Sequence, residues 1–186
     1  MVTTASDTQV RTGRVRLSYV HVFEPFSQNN DEKGKYSCVL LVPKSDTATI
    51  SRLREAEQTA YEQGVTTKWK GKRPKNPASI IHDGDEEADL DANPEYAGHF
   101  YMSISSKTRP GIVDKDVQPI LDSSEVYSGC YARVQMNAYP YNYQGKLGVS
   151  FGLNHIQKIA DGDYLGGRSK AEDVFEPFSD EADSLI

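Results

Sequence analysis

Tyr131-Ala132-Arg133-Val134-Gln135-Met136-Asn137-Ala138-Tyr139-Pro140-Tyr141-Asn142-Tyr143 carries the clearest alternation in the chain. One face holds Ala132, Val134, Met136 and Ala138; the other holds Tyr131, Arg133, Gln135, Asn137, Tyr139, Tyr141 and Tyr143. A period of two belongs to an extended strand whose two sides meet different surroundings. Two assignments are open. Either the small residues face a core and the rings face solvent, or the rings are core and the small residues lie under a helix. Arg133, Gln135 and Asn137 share the ring face and are costly to bury unpaired, which favours rings outward. An outward row of rings is what stacking of unpaired bases requires, at about 1 to 3 kcal/mol per base, with neighbouring cations following the phosphates.

Outward from this strand, a turn at 142–148 returns the chain into a further strand over 149–159. Upstream, Val15, Leu17 and Tyr19 alternate with Arg14, Arg16 and Ser18, the pattern of a half-buried strand pointing Tyr19 inward. Residues 24–35, rich in Asn, Asp, Ser and Gly, read as a hairpin loop into a strand over 36–43, apolar on both faces and so expected to be central. Pro43 ends it. Ser45 or Asp46 is placed to cap a helix whose stripe is Ile50, Leu53, Ala56, Ala60 and Tyr61, closing at Gly64. A third strand spans 99–105, and the Pro and Gly punctuation of 107–119 reads as a reversing hairpin or arm. Five strands, one main helix and long loops, without repeated strand-helix alternation, predict a mainly β small barrel. At 186 residues the chain divides into a flexible N-terminus (1–12), one domain (13–170) and a tail (171–186).

Charge is distributed unevenly. The tail holds six carboxylates (Glu172, Asp173, Glu176, Asp180, Glu181, Asp183) and no base, equal to the whole formal charge of -6. Residues 83–95 hold seven more, again without a base. Removing both runs leaves 21 basic residues against 14 of the 27 acidic ones. A cationic body with an acidic tail suits a polyanion binder that carries its own competitor; a solubilising disordered tail is the other reading. Lys68-Trp69-Lys70-Gly71-Lys72-Arg73-Pro74-Lys75 repeats the aromatic-basic combination on a loop, as a clamp with Trp69 stacking and Lys68, Lys70, Lys72 and Arg73 on phosphates. Arg14, Arg16, Lys107 and Arg109 are placed to extend the groove.

The sequence carries no enzymatic constellation. The four histidines are scattered, and no CxxC, HExxH, GxxxxGK[ST] or GxSxG occurs. No cofactor or structural metal is expected. The one acidic cluster, with Asp83, Asp85 and Glu86, supports a metal-dependent nuclease as an alternative, against a solvated loop. Cys38 and Cys130 fall in apolar runs and read as buried free thiols. The polar start of the chain lacks a signal-peptide core and the longest aliphatic run is 39–42, so no membrane association and a cytoplasmic location are expected. The hexapeptide Val-Phe-Glu-Pro-Phe-Ser occurs twice, at 22–27 and 174–179, suggesting that the tail copy docks through Phe175 and Phe178 where the first copy or its partner surface lies.

Several runs resemble a phage protein family long catalogued without a function. They are Lys35-Tyr36-Ser37 with Leu41-Val42-Pro43-Lys44-Ser45-Asp46, Ser106-Lys107-Thr108-Arg109-Pro110, Glu125-Val126-Tyr127-Ser128-Gly129-Cys130-Tyr131-Ala132-Arg133-Val134, and Gly152-Leu153-Asn154 through Gly162 to Leu165-Gly166-Gly167-Arg168. The likeness spans about residues 13–175. It implies an OB-fold barrel, single-stranded DNA binding in phage replication or recombination, and no catalysis. The tail, with Phe175, Phe178, Asp180, Glu181 and Asp183, is similar to those through which replicative single-strand binders recruit partners. Those tails often end in Phe, whereas this one ends Ser184-Leu185-Ile186. The expected partners are single-stranded DNA, replication or recombination proteins, and further copies of the chain. A β-rich phage structural or assembly protein, with the tyrosine face as a protein interface, is the other reading.

Overall fold

The computed structural model describes residues 5–27, 33–166 and 171–178. In chain order they form β1 (Gln9–Arg11), β2 (Val15–Phe26), β3 (Lys35–Pro43), α1 (Thr47–Thr66), β4 (His82–Asp83), α2 (Gly84–Glu87), β5 (His99–Ser106), β6 (Gly111–Val113), β7 (Tyr131–Tyr143), β8 (Lys146–Ala160) and α3 (Ala171–Val174). The long alternating strand organises the rest. β7 runs antiparallel to β8 from Tyr131↔Ala160 to Tyr143↔Lys146. Gln144 and Gly145 join them with φ of 50° and 84°, the doubly left-handed turn that matches strand twist in a two-residue hairpin.

The barrel closes through five strands. β2 pairs β3 and β3 pairs β5, both antiparallel; β5 meets β8 in parallel at Ser105↔Gly152; β7 returns to β2 at Val15↔Ala132 and Arg16↔Tyr131. The order β2-β3-β5-β8-β7 is that of an OB-type barrel. Leu17, Leu40, Val42, Met102, Ile104, Val134, Met136, Phe151 and Ile156 fill it, each essentially without solvent contact. As the apolar pattern predicts, β3 is central: Cys38, Leu40 and Val42 face the core, and Leu41 is buried on the opposite side. Burial pushes the Cys38 thiol up to about 12 and raises that of Cys130, so both behave as small hydrophobes.

Asp46 caps α1, accepting from the Thr49 backbone N–H at 3.1 Å and the Thr49 hydroxyl at 2.6 Å. The helix buries Leu53, Ala56, Ala60 and Gly64 and packs on β7, β1 and β8. Gly64 is needed for close approach, since a Cβ there would lie 2.7 Å from the Trp69 ring and 2.8 Å from Pro140. Among the described residues no helix is long and apolar enough to cross a membrane.

Four expectations are corrected. The N-terminus, read as flexible over 1–12, contributes β1, which pairs Gln9–Arg11 with β7 and buries Val10 and Thr12. Tyr19 does not point inward: its φ is 46°, pairing slips between Ser18 and His21, and the ring swings out to 57% exposure. The loop into β3 is shorter than 24–35, because β2 continues to Phe26. The acidic run 83–95 is solvated, as expected, at Asp85, Glu86, Glu87, Asp89 and Asp91, but it is not wholly a loop: its start forms β4 against β5 and α2, and the following Tyr96 is buried.

Candidate nucleic-acid interface

On β7 the small face is the buried one. Ala132, Val134, Met136 and Ala138 are sealed in, while Tyr139 and Tyr143 are exposed and Tyr141 is half-buried. The reading with the rings as core is therefore excluded. The Tyr141 ring lies across the bare backbone of its partner Gly148, where a Cβ would stand 2.6 Å from the ring. Tyr143 is 68% exposed at the hairpin tip, opposite the exposed Lys146. At the other end Arg133 donates from Nε to the Thr12 carbonyl at 3.2 Å and lines a shallow 210 Å³ hollow with Arg11, Gln135, His155 and Gln157. The exposed rings therefore lie toward the tip and the guanidinium groups toward the base.

Tyr131 is a different kind of residue. The Arg14 guanidinium sits 4.3 Å from its ring centre and that of Arg16 5.5 Å, a cation–π arrangement that already occupies part of the ring. Arg16 is further committed, donating to the carbonyls of Gly129 at 3.1 Å and Asp163 at 2.8 Å. Arg14, Arg16 and Tyr131 thus form one cluster where β2 meets β7.

The loop 68–75 departs from its reading. Trp69 is 1% exposed, its ring edge-on to Tyr61 at 5.1 Å and its Nε1–H donating to the Tyr141 carbonyl at 2.9 Å. As arranged, it offers no face to a base; it supports the tyrosine strand from behind. The loop is also less free than its composition suggested, since Arg73 pairs with both Glu62 carboxylate oxygens at 3.0 Å and raises its own pKa while lowering that of Glu62. Lys68, Lys70 and Lys72 remain exposed, and Trp69 anchors them beside the hairpin.

The sequence reading missed a second aromatic surface. On the outer side of β2, Tyr19 borders a 570 Å³ cleft with Ser18, Asn93, Pro94, Ser128 and Tyr164, and its hydroxyl meets Asn93 Oδ1 at 3.2 Å. Tyr164 stacks on Tyr127 at 4.4 Å, and Phe26 on His21 at 4.3 Å. Arg109 lies 5.6 Å from the Phe23 ring centre, while Lys107 is exposed nearby in sequence. No pattern could have announced Tyr19, because the bulge that exposes it reverses the alternation that sequence reading relies on.

The acidic cluster is spoken for. Lys44 Nζ bonds Asp83 Oδ1 and Asp85 Oδ2, each at 2.7 Å, and these bonds hold both carboxyls below their usual range and raise Lys44. Asp85 also accepts the Gly98 N–H at 3.0 Å. The nuclease reading asked Asp83, Asp85 and Glu86 to hold a metal; the first two hold a lysine. Among the described residues no group of three potential ligands is placed to bind one. In the tail, Phe175 and Phe178 are 75% and 77% exposed, while Asp180, Glu181 and Asp183 lie outside the described residues.

Comparison with known proteins agrees with this architecture. Protein p50 of Acyrthosiphon pisum secondary endosymbiont phage 1 is 30% identical over 182 residues, covering 92% of this chain and 94% of its own. The single-stranded DNA-binding protein of bacteriophage Enc34, solved with single-stranded DNA, superposes with a TM-score of 0.73 at 23% identity, covering 86% of this chain and 90% of its own. The T7 protein gp2.5, also a single-stranded DNA-binding protein, superposes with a TM-score of 0.60 at 14% identity, covering 90% and 94%. Those two likenesses are of fold. Residues 8–186 match the family described as "Enterobacter phage Enc34, ssDNA-binding protein", and the chain belongs to that family.

Proposed function

We propose that the protein binds single-stranded DNA without catalysis and with little sequence preference, serving phage replication or recombination in the host cytoplasm. One observation carries the reading above the others: β7 keeps its small side chains in the barrel and turns Tyr139, Tyr141 and Tyr143 outward, with Lys146 at the tip and Arg133 at the base. Bases stack on the rings, which act without regard to sequence. Phosphates are met by Arg133, by Lys68, Lys70, Lys72 and Arg73 on the neighbouring loop, and by Arg14, Arg16, Lys107 and Arg109 along the body. The six carboxylates of residues 171–186 compete for these cations and, once displaced by DNA, recruit replication or recombination proteins.

Fluorescence anisotropy with DNA and RNA oligonucleotides across a salt series tests this. Affinity is expected to fall with a log-log slope of about -0.7 per phosphate neutralised. Deleting residues 171–186 is expected to tighten binding and abolish partner recruitment. A folded Tyr139→Ala, Tyr141→Ala double variant that still binds a poly-dT oligonucleotide normally would overturn the platform. A large defined oligomer without DNA affinity at moderate salt would favour a structural role.

A further inference from the structure

The described arginines divide by what they touch. One set is spent within the fold: Arg16 on the carbonyls of Gly129 and Asp163, Arg52 on those of Asp7 and Gln9, Arg54 on Glu57 and Arg73 on Glu62. Arg14 lies over the Tyr131 ring. Arg11, Arg109 and Arg133 are the rest, and all of them border one trough on the outer face of the barrel. Register builds that trough. Arg11 on β1 stands opposite Gln135 on β7, Gln135 opposite His155 on β8, and His155 opposite Gly111 on β6. A single row of residues thus crosses β1, β7, β8 and β6. Gly111 gives the imidazole its room, since a Cβ there would lie 2.6 Å from His155 Nδ1.

To one side of this row lies the 210 Å³ hollow with Arg133; to the other, a hollow of about 440 Å³ reaches Asn154, Ser106 and Arg109. Gln135 and His155 line both, so the hollows meet at the row. No carboxylate lines either one, whereas Glu95 lines the Tyr19 cleft and Glu125, Asp161 and Glu172 line the hollow beside Tyr127. Asp114, in the turn after β6, spends its carboxylate on the N–H groups of Asp116 and Gln118. Among the described residues, the side chains of Arg11, Gln135, Asn154 and His155 have no hydrogen-bond or ion-pair partner, and Arg133 commits only its Nε. Guanidinium groups match phosphate oxygens in pairs, and amide and imidazole N–H groups add further donors. Unpaired donors around a carboxylate-free trough suit a run of phosphates. The trough also adjoins the stacking strand, because the Tyr139 ring lies against Gly152, two residues before Asn154.

We propose that this trough seats the sugar-phosphate backbone of the bound strand where it leaves the Tyr139 ring, with Arg11, Gln135 and His155 as its central contacts. The proposal rests on the reading of the chain as a single-strand binder and gives the phosphates a path. Arg133 stands at one end of that path with Arg11, and Arg109 at the other. Neither Arg11 nor His155 belongs to an aromatic-basic run of the sequence; only the pairing of β1 and β8 with β7 brings them together.

Titration of the full chain with oligo-dT across a salt series tests the seat. Arg11→Gln is expected to weaken binding several-fold and to flatten the log-log slope by about 0.7, the share of one phosphate. Arg54→Gln, which removes an equal charge from an exposed position of α1, is expected to leave the slope unchanged. By NMR on the unaltered chain, the His155 ring and Gln135 side-chain amide signals are expected to move with oligo-dT. They should stay still with the same strand carrying uncharged methylphosphonate links, while the Tyr139 ring signals move with both. The NMR arm decides even where a variant fails to fold. An unchanged slope in folded Arg11→Gln, or still His155 and Gln135 signals at saturation with oligo-dT, overturns the seat. Signals that move equally with the uncharged strand make the trough a base site and overturn it too. The two readings fail separately: a chain that binds no oligonucleotide loses its function, whereas one that binds with these signals still loses only the seat.

Discussion

Residues 68–75 and strand β7 have similar compositions, rings among cations, yet meet opposite fates. On β7 the rings face out; in the loop the single ring is taken into the core and only the lysines stay outside. The difference lies in what fixes direction. A strand alternates, so the identity of Ala132, Val134, Met136 and Ala138 decides where the tyrosines go. A loop has no period, and the ring falls to the strongest local claim: an apolar site beside Tyr61 and Gly64 with a carbonyl, that of Tyr141, in reach of the indole N–H.

The comparison breaks most visibly at Trp69. Trp69→Ala is expected to cost about 3 to 5 kcal/mol of stability by urea denaturation, the range for removing a large buried aromatic. The fraction that stays folded should lose no more DNA affinity than replacing the anchored Lys68, Lys70 and Lys72 does; a stable variant with a larger loss would restore Trp69 as a contact. The opposite pattern is expected at the tip, where Tyr143→Ala should leave the melting temperature almost unchanged. By titration it should weaken oligonucleotide binding by about 1 to 3 kcal/mol if a base stacks there.

Gly64→Ala sharpens the same contrast. An alanine usually stabilises a helix interior relative to glycine by about 0.5 to 1 kcal/mol. Here the added Cβ meets Trp69 and Pro140, so overpacking is expected to win and cost about 1 to 3 kcal/mol in thermal unfolding. A stabilised variant would mean that the indole yields easily. Replacing Lys68, Lys70 and Lys72 by Gln is expected to flatten the log-log salt dependence by up to about 2, since each phosphate released contributes about 0.7. An unchanged slope would remove the loop from the DNA path altogether.

The smallest effect concerns the clamp on the acidic run. Asp83 and Asp85 are held below their ordinary range by Lys44, so the stabilisation is complete above that range and disappears as pH falls through the depressed values. The raised Lys44 pKa places its own loss only in strong alkali. Melting curves of wild type and Lys44→Met are therefore expected to differ at neutral pH and converge in acid. A difference that persists there would point to packing of the lysine stem on Phe100, whose ring centre lies 5.4 Å from Nζ.

Legibility followed periodicity. The strand over 36–43, a cap at Ser45 or Asp46 and the helix stripe are local patterns, and the fold contains them as β3 and α1, with Asp46 as the cap and the helix running past Gly64 to Thr66. The ring face of β7 was equally readable, although Tyr131 is shared with Arg14 and Arg16, residues more than a hundred positions away in the chain. Tyr19 was misread because a bulge resets the alternation without a mark in the residue types. The order within the acidic run was missed because it comes from Lys44 and β5, both distant in sequence.

Composition and alternation alone determined a mainly β chain with one capped helix, a cationic body, an acidic tail and a strand whose two faces differ, with the polar residues among its rings favouring rings outward. Those properties are local: a period of two or 3.6 and a charge count require no knowledge of what lies across the barrel. Only the tertiary structure decided that Trp69 is buried behind Tyr141, that Tyr19 is exposed and that Lys44 neutralises the acidic turn. Each of these depends on which distant segment arrives to supply a carbonyl, a cation or a neighbouring strand, and the closure of β2-β3-β5-β8-β7 settles that.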